Sequence, residues 1–212
     1  MNKHINKKKL GALMVLAYAS CAGDIAANIA PDCAHPIVSG YTGRGILINW
    51  KDVKTLTYSG TNPRIVTAIT LETGAKVSVV DNIGFDQPLN GSNSTSTGDD
   101  GFVKYDKTVV LNIPLRGAGT AKDIVEPLHT SALGFLLIAE KKDKVGDGSF
   151  ELIGLEQGLK ANADGVTRNE YENGGSVVAT MSCRETHFEN TLFDTDYSTT
   201  LAAFEALMAS AF

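Results

Sequence analysis

The chain has 212 residues, of which 43% are hydrophobic and 20% charged, with a formal net charge of −5. This length holds one large β domain or two small ones with sufficient core, and the composition excludes a disordered polypeptide. An acidic balance with both signs interspersed argues against a nucleic-acid-binding surface, which would be basic.

The first 40 residues read as an arm. Lys7, Lys8 and Lys9 precede an apolar run from Leu10 to Ala19, followed by Ser20 and Cys21. Basic residues, a short apolar core and small residues before a cysteine are how a lipoprotein signal peptide reads. The run is too short to span a bilayer. Tyr18 stands where such a signal usually has a small aliphatic residue, so an intact arm is the first expectation and a cleaved signal the second. From Asp24 to Gly40 the chain carries Pro31 and Pro36 with little periodicity, which suits a segment draped over its own domain or a neighbour. Three cysteines, Cys21, Cys33 and Cys183, make an odd count without zinc-ligand spacing, so reduced thiols are expected.

Strands are expected from Arg44 onward. Gly45 to Trp50 is an apolar run of strand length, and Val53 to Tyr58 alternates weakly. Arg64 to Glu72 places Ile65, Thr67, Ile69 and Leu71 on one face, and Thr73-Gly74 turns into Ala75–Val80; together they predict a hairpin. Leu89–Gly101 follows, with Asn, Gly, Ser, Thr and Asp in its body. It offers too little apolar surface to offset the entropy of ordering it, so a mobile loop is predicted.

Phe102 to Ile113 is again a strand, with Val109, Leu111 and Ile113 alternating. Thr120 to Leu133 has helical spacing, with Ile124, Val125, Leu128 and Ala132 on one stripe. Pro127 inside it removes a backbone hydrogen bond at a cost of roughly 3 kcal/mol, which predicts a kink or two short helical turns. Gly134 to Glu140 is apolar on both faces and predicts a strand covered on both sides. Turns at Asp147-Gly148, Asn162–Gly165 and 173–175 set off strands at Ser149–Leu155 and Ser176–Cys183. A last helix is expected from about Thr199 to Ser210, capped by Ser198, with Leu201, Phe204, Leu207 and Met208 on one face. The domain plan is an arm over 1–43, a mainly β domain over 44–197 and a C-terminal helix over 198–212.

No chemistry gathers along the chain. His4, His35, His129 and His187 are isolated from one another, and Asp99-Asp100 and Asp194 with Asp196 lack the ligand spacing of a calcium site. No serine elbow or phosphate loop is present. No catalytic, cofactor or metal residue is predicted, and no enzyme.

From Val110-Leu111-Asn112-Ile113-Pro114-Leu115 onward the chain resembles tail-tube-like virion proteins of tailed bacteriophages, including a group from gut-bacterial phages. The likeness continues through the helix Ala121–Leu128, the strand Gly134–Glu140 and Gly-Ser-Phe-Glu-Leu-Ile-Gly-Leu-Glu-Gln-Gly-Leu over 148–159. It then takes in Gly175–Ser182 and Leu-Phe-Asp-Thr-Asp-Tyr-Ser-Thr-Thr over 192–200. The early Cys-Ala-Gly-Asp-Ile-Ala over 21–26 with Cys33 and Pro36 adds to it, while the Lys-rich start and Pro127 depart from the pattern.

The resemblance implies a β-sandwich with one flanking mid-chain helix and a C-terminal helix. It implies subunits closing into homo-oligomeric rings, stacked as a tail tube in the virion, with DNA passing through without specific binding. Its partners would be other virion tail or neck proteins, and its place of assembly the host cytoplasm. A head–tail neck ring is a close variant. Subunit-interface candidates under this expectation are Leu13, Val15, Leu16, Ile25 and Ile29 in the arm, Phe102 beside the loop, and Phe204, Leu207 and Met208 on the last helix. The alternative from another class is a secreted or surface lipoprotein β-domain that binds a small ligand or carbohydrate, with the N-terminus as its only membrane attachment.

Overall fold

The computed structural model describes residues 35–81, 89–97, 102–114, 117–168 and 176–211. Its elements all lie in the compact unit Ile37–Phe212. The first strands are β1 (Tyr41–Asn49), β2 (Val53–Tyr58), β3 (Ile65–Leu71) and β4 (Val77–Asp81). β5 (Leu89–Thr97) and β6 (Val103–Pro114) come next. A broken helix follows, with α1 (Ala118–Thr120), a π-helical turn over Ala121–Val125 and α2 (Glu126–Thr130). The remainder is β7 (Phe135–Lys141), β8 (Phe150–Ile153), β9 (Lys160–Arg168), β10 (Ser176–Glu185), β11 (Asn190–Leu192) and α3 (Tyr197–Met208).

The strands form two sheets, one of seven strands in the order β2-β3-β11-β8-β7-β1-β4 and one of four in the order β5-β6-β10-β9. The larger sheet cannot be flat. β1 and β2 are joined by the three residues Trp50–Asp52, yet four other strands lie between them in the ladder. In a flat sheet that separation would be about 24 Å. Three linking residues reach only about 14 Å. The sheet therefore rolls on itself, and the same roll lets the short stretch 72–76 carry the chain from β3 to β4 at the sheet's other edge.

The predicted hairpin of Arg64–Glu72 with Ala75–Val80 does not form. Thr73-Gly74 does turn, with Gly74 at φ +79° and the Ala75 N–H donating to Glu72 O at 3.0 Å. The flanking strands find other partners: β3 pairs with β2 and β11, and β4 pairs with β1. The turn residues describe a local reversal, and the apolar faces of β1 and β11 decide what each strand pairs with. The expected mobile loop over 89–101 is corrected over 89–97, and 98–101 lie outside the described residues. Residues 89–97 are strand β5, in unbroken antiparallel register with β6 from Leu89↔Leu111 to Thr97↔Val103. Backbone ladder bonds to an apolar neighbouring strand, with Leu89 buried as anchor, order a segment that has little hydrophobic content of its own.

Two cores lie on opposite faces of the larger sheet. One is shared with the four-stranded sheet and includes Leu47, Val109, Leu111, Ile113, Leu128, Leu137, Val177 and Met181. The other fills the rolled sheet and includes Ile46, Ile48, Val66, Leu136, Ile138, Phe150, Leu152 and Phe204. β7 serves both, as its doubly apolar pattern predicts, with Phe135, Leu137 and Ala139 facing one core and Leu136 and Ile138 the other. Full burial of each of these larger side chains contributes about 1.5–3 kcal/mol.

The helices follow the expectations with two adjustments. The π-helical turn ends just before Pro127, which stands in the first turn of α2, so the break in the i→i+4 pattern falls at the proline. α3 is capped by Asp196, two residues before Ser198: its Oδ1 accepts the Thr199 N–H at 2.7 Å and the Ser198 hydroxyl at 2.8 Å. The predicted turn over Asn162–Gly165 is a bulge within β9, where the register jumps from Ala179↔Val166 to Met181↔Ala161. Among the described residues no helix is long and apolar enough to cross a membrane.

One glycine has no substitute. Gly158 adopts φ +72°, and a Cβ there would sit 2.0 Å from Leu133 O. The alanine variant is expected to lose at least about 1–3 kcal/mol from backbone strain alone, read as a lowered midpoint in urea unfolding.

Candidate functional site

The inter-sheet core does not stay apolar to its end. On β6 the inward positions Val109, Leu111 and Ile113 continue in phase to Lys107, which is 0% exposed. On β10 the inward series Val177, Ala179 and Met181 reaches Glu185, and on β8 Glu151 lies between Phe150 and Leu152. These three charged residues meet between the sheets. Lys107 Nζ lies 2.7 Å from Glu185 Oε2 and 3.9 Å from Glu151 Oε1. The closer contact is an ion pair rather than an aligned hydrogen bond.

Each carboxylate is held from a second side. Glu185 Oε1 accepts the backbone N–H groups of Gly154 at 2.9 Å and Leu155 at 2.7 Å, and its Oε2 accepts Asn190 Nδ2 at 3.1 Å. Glu151 Oε2 accepts the Tyr41 hydroxyl at 2.8 Å and lies 3.5 Å from Lys141 Nζ, which also pairs with Glu189. Burial, and then the Glu151 charge, push the Tyr41 phenol far above its ordinary value, so it remains a donor. Burial opposes the charge on Lys141, but Glu189 and Glu151 outweigh it and raise its pKa. The Tyr41 ring also lies against β5, where a Cβ on Gly91 would stand 2.9 Å from the hydroxyl oxygen.

A third buried carboxylate, Glu140, sits on the opposite face of β7. It accepts the Tyr197 hydroxyl at 2.7 Å and the Thr42 hydroxyl at 3.0 Å, with Lys144 Nζ at 3.4 Å and Arg44 Nη1 at 3.6 Å. Burial pushes Glu140 up, but these hydroxyls and the Lys144 charge prevail and hold it below the usual carboxylate range. A carboxyl with a lowered folded pKa gives stability that is complete above its unfolded value and is lost as pH falls through the folded one. Melting temperature is therefore expected to decline below the ordinary carboxylate range, and Glu140→Gln should flatten that decline when the two are scanned against pH.

The other surface of note is the four-stranded sheet, with β5 at one edge and β9 at the other. β5 is nine residues long and carries no charge and no proline. On the sheet face away from the core, Ser92 pairs with Thr108 and Thr108 with Ser182. On that face Arg184 Nε pairs with Asp106 Oδ1 at 2.7 Å, the guanidinium holding the carboxyl below its usual range.

The predicted interface residues are placed as follows. Phe102 is 64% exposed, just before β6. Leu207 and Met208 are half-buried against the core of the rolled sheet. Phe204 is 0% exposed and belongs to that core, so it is no interface residue; the helical stripe that selected it faces the chain's own sheet. Leu13, Val15, Leu16, Ile25 and Ile29 lie outside the described residues, as do Cys21 and Cys33. Cys183 is a free thiol that burial pushes up to about 12. Sequence reasoning singled out neither Lys107, inside the predicted strand Phe102–Ile113, nor Glu185, just past Ser176–Cys183, although the period-2 phase of their strands places both inward. Among the described residues no three His, Cys, Asp or Glu side chains converge as a metal site.

Compared with protein-family models, with curated proteins and with solved structures, the chain matches none of them.

Proposed function

We propose that this is a virion structural protein whose copies close into rings of a phage tail tube, through which DNA passes without specific binding. The observation that carries this reading is the edge of the four-stranded sheet. Monomeric proteins blunt such edges with charge, proline or bulges. β5 has neither charge nor proline and runs in unbroken register with β6 for its full length. Its outer backbone groups are a template for a strand from another copy. Pairing of β5 with β9 of the next subunit is a heterologous contact, and such contacts generate a ring when the rotation closes.

The β-rich fold with two sheets, a mid-chain helix and a C-terminal helix agrees with the resemblance to tail-tube-like proteins. The outer face of the small sheet suits the inner wall of a tube. Ser92, Thr108, Thr180 and Ser182 offer hydroxyls, and Asp106 and Arg184 neutralise each other.

Electron microscopy of the purified full chain tests the proposal. Rings or tubes are expected; strictly monomeric particles at high concentration would overturn it. Ser92→Lys with Ser94→Lys sets two charges on the solvent face of β5. Self-association should weaken by about tenfold, the factor that about 1.4 kcal/mol represents, with monomer unfolding unchanged.

A further inference from the structure

We propose that Lys107 and Asn190 condense into an intramolecular amide, with Glu185 as the proton-transfer group, so that a covalent bond ties the two sheets together. Lys107 on β6 belongs to the four-stranded sheet and Asn190 on β11 to the seven-stranded one. The lysine, the asparagine and Glu185 are 0%, 1% and 1% exposed. The amine and the carboxamide are both held on one atom: Glu185 Oε2 lies 2.7 Å from Lys107 Nζ and accepts Asn190 Nδ2 at 3.1 Å. The Gly154 and Leu155 N–H groups fix the other oxygen, which aims Oε2 at the pair. Glu151, 3.9 Å from Nζ and occupied by Tyr41, is too far and too engaged for that role.

A second, independent observation comes from hydrogen-bond satisfaction. Buried polar atoms in folded proteins are almost always partnered. Among the described residues Lys107 Nζ and Asn190 Oδ1 are buried side-chain atoms without a hydrogen-bond partner. Condensation replaces the buried ammonium with a neutral amide N–H that faces Glu185, while Asn190 Oδ1 stays a carbonyl oxygen.

The reaction balances without any co-reactant. The proton of Lys107 Nζ passes to Glu185 Oε2, 2.7 Å away, which frees the amine lone pair as the nucleophile. The amine lone pair attacks Asn190 Cγ, forming the C–N bond while the carbonyl electrons move onto Oδ1. The carbonyl re-forms as the Cγ–Nδ2 bond breaks, and the Glu185 carboxyl delivers a proton to Nδ2. Ammonia departs and carries away the remaining proton as ammonium. The products are one secondary amide and one ammonium ion, with Glu185 again a carboxylate and no change in oxidation state.

Peptide mapping of the purified, folded full chain by tandem mass spectrometry tests this. The peptides containing Lys107 and Asn190 are expected joined, at their summed mass less one ammonia. Lys107→Met and Glu185→Gln should yield separate peptides, and denatured Lys107→Met should migrate more slowly than the cross-linked chain. Asn190→Asp keeps an electrophilic carbonyl, so its link should form with loss of water in place of ammonia. Recovery of the wild-type peptides unlinked and at unmodified mass, after days of incubation, would overturn the proposal. A link that persists in Glu185→Gln would overturn the role given to Glu185.

Discussion

Glu185→Ala is expected to destabilise the fold by about 3–5 kcal/mol, the largest effect of any polar substitution in this chain. The reason is the number of groups that one carboxylate satisfies. Its removal leaves the Gly154 and Leu155 N–H groups and Asn190 Nδ2 without their acceptor, and it strands the Lys107 ammonium 3.9 Å from its remaining carboxylate. An uncompensated charge in an apolar interior is costlier than the intact pair is stabilising. Chemical denaturation measures this directly: the urea midpoint should fall by more than about 1 M with the slope unchanged. A Lys107→Met and Glu185→Leu double substitution should recover the part of the loss that comes from the stranded charge, because it removes both charges and fills the space, while the part that comes from the missing Lys107–Asn190 link should remain. If the single variant unfolds like the parent, the cluster is solvated and the picture of a dry inter-sheet charge site is wrong.

Phe204→Ala should cost about 3–5 kcal/mol, and the loss should appear in unfolding of the monomer. The ring is fully buried, 5.0 Å from the centroid of Phe150, with the Arg44 guanidinium 5.8 Å from its own centroid. Tyr197 stacks on Phe150 at 5.8 Å, so one aromatic cluster fastens the first and third turns of α3 to the rolled sheet. Leu207→Ala and Met208→Ala, at half-buried positions, should cost less than half as much. Thermal melts at several protein concentrations separate this from an interface effect. A core residue lowers the melting temperature equally at every concentration, while an interface residue lowers it only where copies associate.

These two positions mark the difference between what a residue pattern conveys and what it does not. The spacing of Leu201, Phe204, Leu207 and Met208 shows that α3 has an apolar face, and it does. It carries no information on whether that face meets the chain's own sheet or another copy. Lys107 and Glu185 show the converse. Both stand in phase with apolar inward positions, so their burial was legible. Their convergence was not: Lys107 and Glu185 meet because β6 pairs with β10, and Glu151 on β8 and Asn190 on β11 join them only when the two sheets pack.

Local chemistry determined much by itself: strand and helix positions from period 2 and period 3.6, the doubly covered β7 from its unbroken apolar run, and the helix break from Pro127. Each depends on forces that act within a few residues. Strand partners were decided by the tertiary structure alone. The reversal at Thr73-Gly74 does not make a hairpin, and the polar stretch 89–97 becomes a strand because β6 lies beside it. Ladder bonds are the same for every sequence, so the pairing goes to whichever neighbours bury the most apolar surface, a quantity summed over the whole fold.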